Sequence, residues 1–233
     1  AVIFSQYVES ITHHPTIGME VVVFGNLSIY ASKGQFQLHV KNIYLSGEGE
    51  LWVAFESLRK RLKSEGVFDN SKKKTLPSYP EKIGIITSSE GAALKDILNV
   101  IQRRAPYIKC CIFPVPVQGN MSADKIAEGI DLMNLYGKVN VLIVGRGGGS
   151  MEDLWSFNEE KVVRAIYDSN IPIISAVGHE GDITLSDYAA DCIAPTPSAA
   201  AEIVAINQQE IVQNLDHIES RCLQIIKKRV DSY

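Results

Sequence analysis

The chain has 233 residues, a formal net charge of −4, 45% hydrophobic and 21% charged residues. That is room for one large domain or two small ones with a real core, and the overall charge gives no hint of nucleic acid. The four cysteines (Cys110, Cys111, Cys192 and Cys222) form no C-x-x-C pair and have no His at metal spacing, which excludes a disulfide framework and points to a reducing, cytoplasmic setting. No apolar run approaches the length of a membrane span, and no signal peptide is read at the start.

Residues 1–48 read as strands. "GMEVVVFGNLSIYASKGQFQLHVKNIYLSG" is rich in β-branched and aromatic residues, with alternation at Phe36, Leu38 and Val40 and a hairpin tip at Ser32-Lys33-Gly34. Residues 49–80 read as a helix and a basic linker. Leu51, Phe55, Leu58 and Leu62 form an amphipathic stripe, and Gly66 suits the C-cap. "RKRLKSEGVFDNSKKK", Arg59 to Lys74, concentrates basic charge; such blocks are usually solvated.

A different pattern runs over residues 81–205. "KIGIIT", "YIKCCIFPVPVQG", "VNVLIVG" and "IPIISAVG" are short apolar strands, and helical segments separate them. Pro106 stops the first helix; Ser122 is a candidate N-cap of the second and Gly137 lies past its end. This alternation predicts βαβ units, an α/β domain with a parallel sheet, and functional loops at the carboxyl ends of the strands. "APTPSAAAE" reads as a Pro-rich turn into a helix with Ser198 as N-cap. In residues 206–233 and just before them, Val204, Ile211, Leu215, Ile218, Cys222 and Ile225 form a short heptad stripe. It fits a helix packed on its own domain or the root of a coiled coil.

Three strands end in unusual loops: "SSEGAALKD", "GRGGGSMED" and "GHEGD". In the second, Gly145, Gly147, Gly148 and Gly149 free the backbone for positive φ and for close approach to a ligand. Ser150 and Asp153 fit a capping box, and the N–H groups of the next helix favour an anion. Arg146 adds a planar fork suited to phosphate, and an arginine among glycines has no packing purpose. The loop lacks the Gly-Lys-[Ser/Thr] of a P-loop, and Ser150 stands where a dinucleotide fingerprint needs its third Gly. The bland reading is a tight strand-to-helix turn. His179, with Glu180 and Asp182 close by, suits a general acid or base, a metal ligand or a plain surface histidine. Asp96 sits on the first helix after a strand and faces the same sheet edge.

Taken together, "EGVFDNSKKKTLP", "GIITSSEGAALKDIL", "RRAP", "VQG", "VLIVGRGGGSMEDLWSFNEE", "AVGHEGDITLSDYAAD" and "APTPSAAAE" resemble the large subunit of bacterial exonuclease VII over nearly the whole chain. The resemblance implies a single-strand-specific exodeoxyribonuclease that works from either end and leaves oligonucleotides with 5′-phosphates. It implies an OB-fold truncated at its start here, an α/β catalytic domain, and the beginning of a coiled coil. Several copies of a small partner subunit are implied as well, and no required divalent metal. The positions matching the family's catalytic residues are Asp96, Arg146, His179 and Asp182. The chain departs from the family at Ile193, where Arg is usual.

In that frame, Arg146 and the N–H groups of Gly147, Gly148, Gly149 and Ser150 are expected to hold the scissile phosphate. His179 is expected to act as general base, general acid or nucleophile, oriented by Asp182 or Asp96. Those three side chains are alternatively a site for Mg²⁺. Tyr30, Phe36 and the Lys33-Gly34 turn are candidates for the single-strand surface, with an ordinary core role the stronger reading for Phe36. The basic block is expected to follow the strand's backbone. Two rivals remain: a module that binds phosphate or a single strand without chemistry, and a nucleotide-dependent enzyme.

Overall fold

The computed structural model describes all residues except 5–6, 8–14, 16–20, 31–34, 46–47, 150, 178–182, 206–207 and 231–233. The chain forms two compact units, Ala1–Ser64 and Glu65–Tyr233.

The first unit holds β1 (Val2–Ile3), β2 (Val21–Tyr30), β3 (Gln35–Leu45) and α1 (Glu48–Ser64). β3 is central: it runs antiparallel to β2 and parallel to β1. Alternation along β2 and β3 buries Val40 and Ile43 against Val21, Val23 and Leu38. The register shifts at Phe24 and Gly25. Gly25 is required there, because a Cβ would lie 2.2 Å from the His39 carbonyl oxygen. Phe24 packs on Trp52 of α1 with ring centroids 4.2 Å apart. Phe36 is 73% exposed, so the expectation of a core aromatic fails: its strand face turns Leu27 and Ile29 to solvent as well. The hairpin tip lies outside the described residues.

The second unit is the parallel α/β domain. Its strands are β4 (Lys82–Thr87), β5 (Lys109–Pro114), β6 (Val141–Gly145), β7 (Ile173–Ala176) and β8 (Cys192–Ile193). They lie in the order β5-β4-β6-β7-β8, and every pairing is parallel. The helices are α2 (Ala92–Arg104), α3 (Ser122–Tyr136), α4 (Met151–Leu154), α5 (Glu160–Asp168), α6 (Leu185–Ala189), α7 (Pro197–Val204) and α8 (Gln208–Val230), with a 3-10 turn at Trp155–Asn158. Ile83, Ile85, Val141 and Ile143 face one side of the sheet, in a core shared with Ile97 and Ile101 of α2 and Ala200, Ala201 and Val204 of α7. The alternate residues face α3. A Cβ on Gly84 would meet Leu142 and Met133, and one on Gly129 of α3 would meet Phe113 and Ile86. Both strand faces are therefore apolar, as a covered parallel sheet requires.

Polar ties fasten this core. Asp191 accepts the Lys74 N–H at 2.6 Å and the Ile173 N–H at 2.7 Å, and its side chain is only 3% exposed beside the Lys74 ammonium. Lys72 donates to the Tyr167 hydroxyl at 2.5 Å, and that bond raises its pKa. Two lysines of the basic block thus take part in the fold.

Three local expectations are corrected. Ser122 is not an N-cap. Met121 takes that position with φ +71°, the only positive φ of a non-glycine among the described residues. Ser122 Oγ instead donates to the Gly119 carbonyl at 2.6 Å and accepts from Ser156 Oγ at 2.5 Å. Thr196, not Ser198, caps α7: its hydroxyl accepts the Ala199 N–H at 3.1 Å, and Pro197 opens the helix. Val204 does not extend the heptad stripe. It closes α7 and is buried at 3% exposure, whereas Ile218 and Ile225 of α8 are 57% and 59% exposed.

Candidate active site

β4 is followed in the chain by β5 on one side and paired with β6 on the other. The chain reverses its winding direction there, and such a switch point leaves a crevice at the carboxyl ends of the strands. A cleft of about 490 Å³ occupies it. Its lining comes from Thr87 at the end of β4 and from three loops: Ser88, Glu90 and Gly91 after β4, Pro116 to Gln118 after β5, and Arg146 to Gly148 after β6. Helix α2 adds Ala92 and Ala93.

Among the described residues Arg146 is the only basic one on this lining, and it is just 8% exposed. Its own loop holds it. Nε donates to the Gly147 carbonyl at 2.8 Å, Nη1 to the Asp153 carbonyl at 2.6 Å and Nη2 to the Gly148 carbonyl at 3.4 Å. The view that this arginine has no packing purpose is therefore wrong: it is the strut of the loop. A guanidinium carries five N–H donors, so these three bonds leave capacity on its terminal nitrogens for an anion.

Gly145 and Gly149 are needed for close approach, and none of the four glycines for positive φ. Gly145, Gly147, Gly148 and Gly149 are absent from the positive-φ glycines of the described residues. A Cβ on Gly145 would lie 2.4 Å from the Ala176 carbonyl oxygen. One on Gly149 would lie 2.8 Å from Arg146 Nη2 and 2.9 Å from Asp153. Gly147 faces open space. The helix after this loop is also shorter than the anion argument needs. α4 has four residues before it tightens into the 3-10 turn, so its dipole is weak.

Asp96 is exposed on α2, one helical turn beyond Ala92 of the lining, and does not line the cleft itself. His179 and Asp182 lie outside the described residues, as does Ser150. Their flanks are described. The Arg146 N–H donates to the Ala176 carbonyl at 3.2 Å, so the end of β7 stands beside Arg146. On the far side, Thr184 and Asp187 form a capping box. Asp187 is 1% exposed. It accepts from Ser175 Oγ at 2.5 Å, the Thr184 N–H at 2.7 Å and Thr184 Oγ1 at 2.8 Å. One buried carboxylate thus joins residues before and after 178–182. The Thr-x-x-Asp spacing was the available signal for it. Asn158 and Phe157 tie the turn after the glycine loop to α6, by accepting the Leu185 N–H at 2.8 Å and the Ser186 hydroxyl at 2.6 Å. Among the described residues, no group of three or more His, Cys, Asp or Glu is placed to hold a metal ion.

The cleft, its buried arginine and the glycine run sit within residues 67–233, which match the family model described as exonuclease VII, large subunit. The chain belongs to the exonuclease VII large-subunit family. Residues 1–44 match the OB-fold nucleic acid binding domain. The chain is similar to the exodeoxyribonuclease 7 large subunit of Haemophilus influenzae, 51% identical over 211 residues, which covers 91% of this chain and 48% of that protein. Against the same-named proteins of Alkaliphilus oremlandii and Geobacillus kaustophilus it is 46% identical over 99% of its length, covering 57% and 51% of theirs. The chain therefore spans about half the length of these exonuclease VII relatives. Among the described residues no helix is long and apolar enough to cross a membrane.

Proposed function

We propose that this chain carries the catalytic cleft of a cytoplasmic, single-strand-specific exodeoxyribonuclease that works from either end and leaves 5′-phosphates. The observation that carries this reading is Arg146, buried at the switch point and braced by its own loop, in an open cleft. Such a fixed cation offers its spare donors to a phosphate without reorganising during reaction. In this reading Arg146 and the loop N–H groups from Gly147 to Ser150 bind the scissile phosphate. His179 takes the proton of the attacking water, oriented by Asp182 or Asp96, and the phosphorus–O3′ bond breaks as the leaving oxygen takes a proton from solvent to become a 3′-hydroxyl. The matching residues need no metal for this step.

The OB-fold unit supplies a stacking surface that includes Phe36. Helix α8, with Ile218, Leu223, Ile225 and Ile226 each more than half exposed, is the root of a coiled coil that carries copies of a small subunit. The test is degradation of labelled single-stranded DNA by the full-length large subunit with its small subunit, in excess chelator. Wild type is expected to cut, and His179→Ala to bind DNA without cutting. Loss of turnover in chelator with rescue by Mg²⁺ would reinstate the metal reading. No cutting under any condition would leave a strand-binding module.

A further inference from the structure

The cleft contains more anion chemistry than Arg146. Thr87 ends β4 and is 1% exposed. Its carbonyl accepts the Val115 N–H at 3.0 Å, but its Oγ1 is buried with no hydrogen-bond partner. Native proteins seldom keep a buried hydroxyl unpaired, because the lost hydration is not recovered.

Beside Thr87 the lining continues through Ser88 to Gly91, Ala92 and Ala93. Gly91 is the N-cap of α2, and Ala92 and Ala93 are its first residues. The first N–H groups of a helix have no partner within it. Thr184 and Thr196 answer that need at α6 and α7. At α2 there is no side-chain cap and no acidic residue in the first turn, and Lys95 follows at the fourth position. With 13 residues, α2 also has the dipole that α4 lacks. Among the described residues Glu90 is the only carboxylate on the cleft lining, and it is exposed.

We propose that Thr87 Oγ1 and the N-terminal N–H groups of α2 form a second phosphate subsite, which takes the backbone phosphate adjacent to the one at Arg146. The proposal rests on the single-strand reading above. Two donor clusters in one cleft fix the direction of the strand as well as its position.

Thr87→Val removes the hydroxyl and keeps the branched shape. Inorganic phosphate and, separately, a short oligo-dT are titrated into the 233-residue chain while backbone amides are followed by NMR. Both ligands are expected to shift Ala92, Ala93 and Leu94. The Val variant is expected to bind both about tenfold more weakly, the effect of one hydrogen bond to a charged group. Its melting temperature stays level or rises, since an unpaired buried hydroxyl is gone. Glu90→Gln binds more tightly. Unchanged affinity in Thr87→Val overturns the subsite, and so does weaker binding that comes with a fall in melting temperature, which marks a structural hydroxyl. Oligo-dT that shifts the Arg146 loop and leaves α2 untouched overturns the subsite alone. Shifts with inorganic phosphate but none with oligo-dT assign the site to free phosphate. Oligo-dT that binds nowhere overturns the single-strand reading as well.

Discussion

Arg146 is the strut of its loop, and in the proposed function the same side chain holds the phosphate. Its bonds to three carbonyls fix the guanidinium, and Gly149 leaves room for it. Gly149→Ala places a methyl 2.8 Å from Nη2, so the guanidinium must move. Gly149 is exposed, so the expected result is a large loss of turnover with a melting temperature close to wild type. Gly145→Ala is different in kind, because its methyl would strike the backbone of Ala176 at 2.4 Å. Denaturant melts should show a loss of roughly 1–3 kcal/mol. The cysteines make a third prediction. Burial raises the pKa of Cys110 and Cys192, whereas Cys222 is exposed on α8. Alkylation followed by mass spectrometry should modify Cys222 first in the native chain, since thiolate is the reactive form.

The strands of the second unit were legible because a covered parallel strand is a short apolar run, and β4, β6 and β7 are such runs. β8 was not, since two residues carry no periodicity. Caps failed where two candidates competed. Ser198 and Thr196 flank Pro197, and only the residue before a helix-opening proline has the extended backbone that a cap needs. Part of the candidate site was legible through its loops: Arg146 does line the cleft at a strand end, whereas Asp96 does not and His179 and Asp182 lie outside the described residues. The burial of Arg146 was not, because the partners are carbonyls of its own loop, which a sequence does not display. Thr87 was hidden for a similar reason; a threonine closing a strand looks like an ordinary β-branched residue. Asp187 is the strongest test at this level. Asp187→Ala orphans the Ser175 hydroxyl and the Thr184 N–H, and thermal or denaturant unfolding should show a loss of roughly 2–4 kcal/mol. Thr196→Ala should cost about 1 kcal/mol, the usual value of a helix cap.

At the scale of the molecule, the proposed function asks a chain of net charge −4 to meet a polyanion, which only local features can do. Within the basic block, Lys72 and Lys74 also hold structural contacts, with Tyr167 and Asp191. Phe36 is exposed and so is open to the stacking role that the proposed function gives it. Phe36→Ala should weaken single-strand binding about tenfold in a fluorescence titration, the worth of one base stacked on an aromatic ring. The central claim is that the cleft at Arg146 is where the strand is cut. The most direct measurement is turnover of end-labelled single-stranded DNA by full-length large subunit with its small subunit, comparing wild type, Arg146→Lys and Arg146→Ala at matched folded concentration. The account predicts oligonucleotides bearing 5′-phosphates from wild type, a severe loss in Arg146→Lys, which keeps the charge but not the fork, and no product from Arg146→Ala. Wild-type rates in a folded Arg146→Ala protein would contradict it.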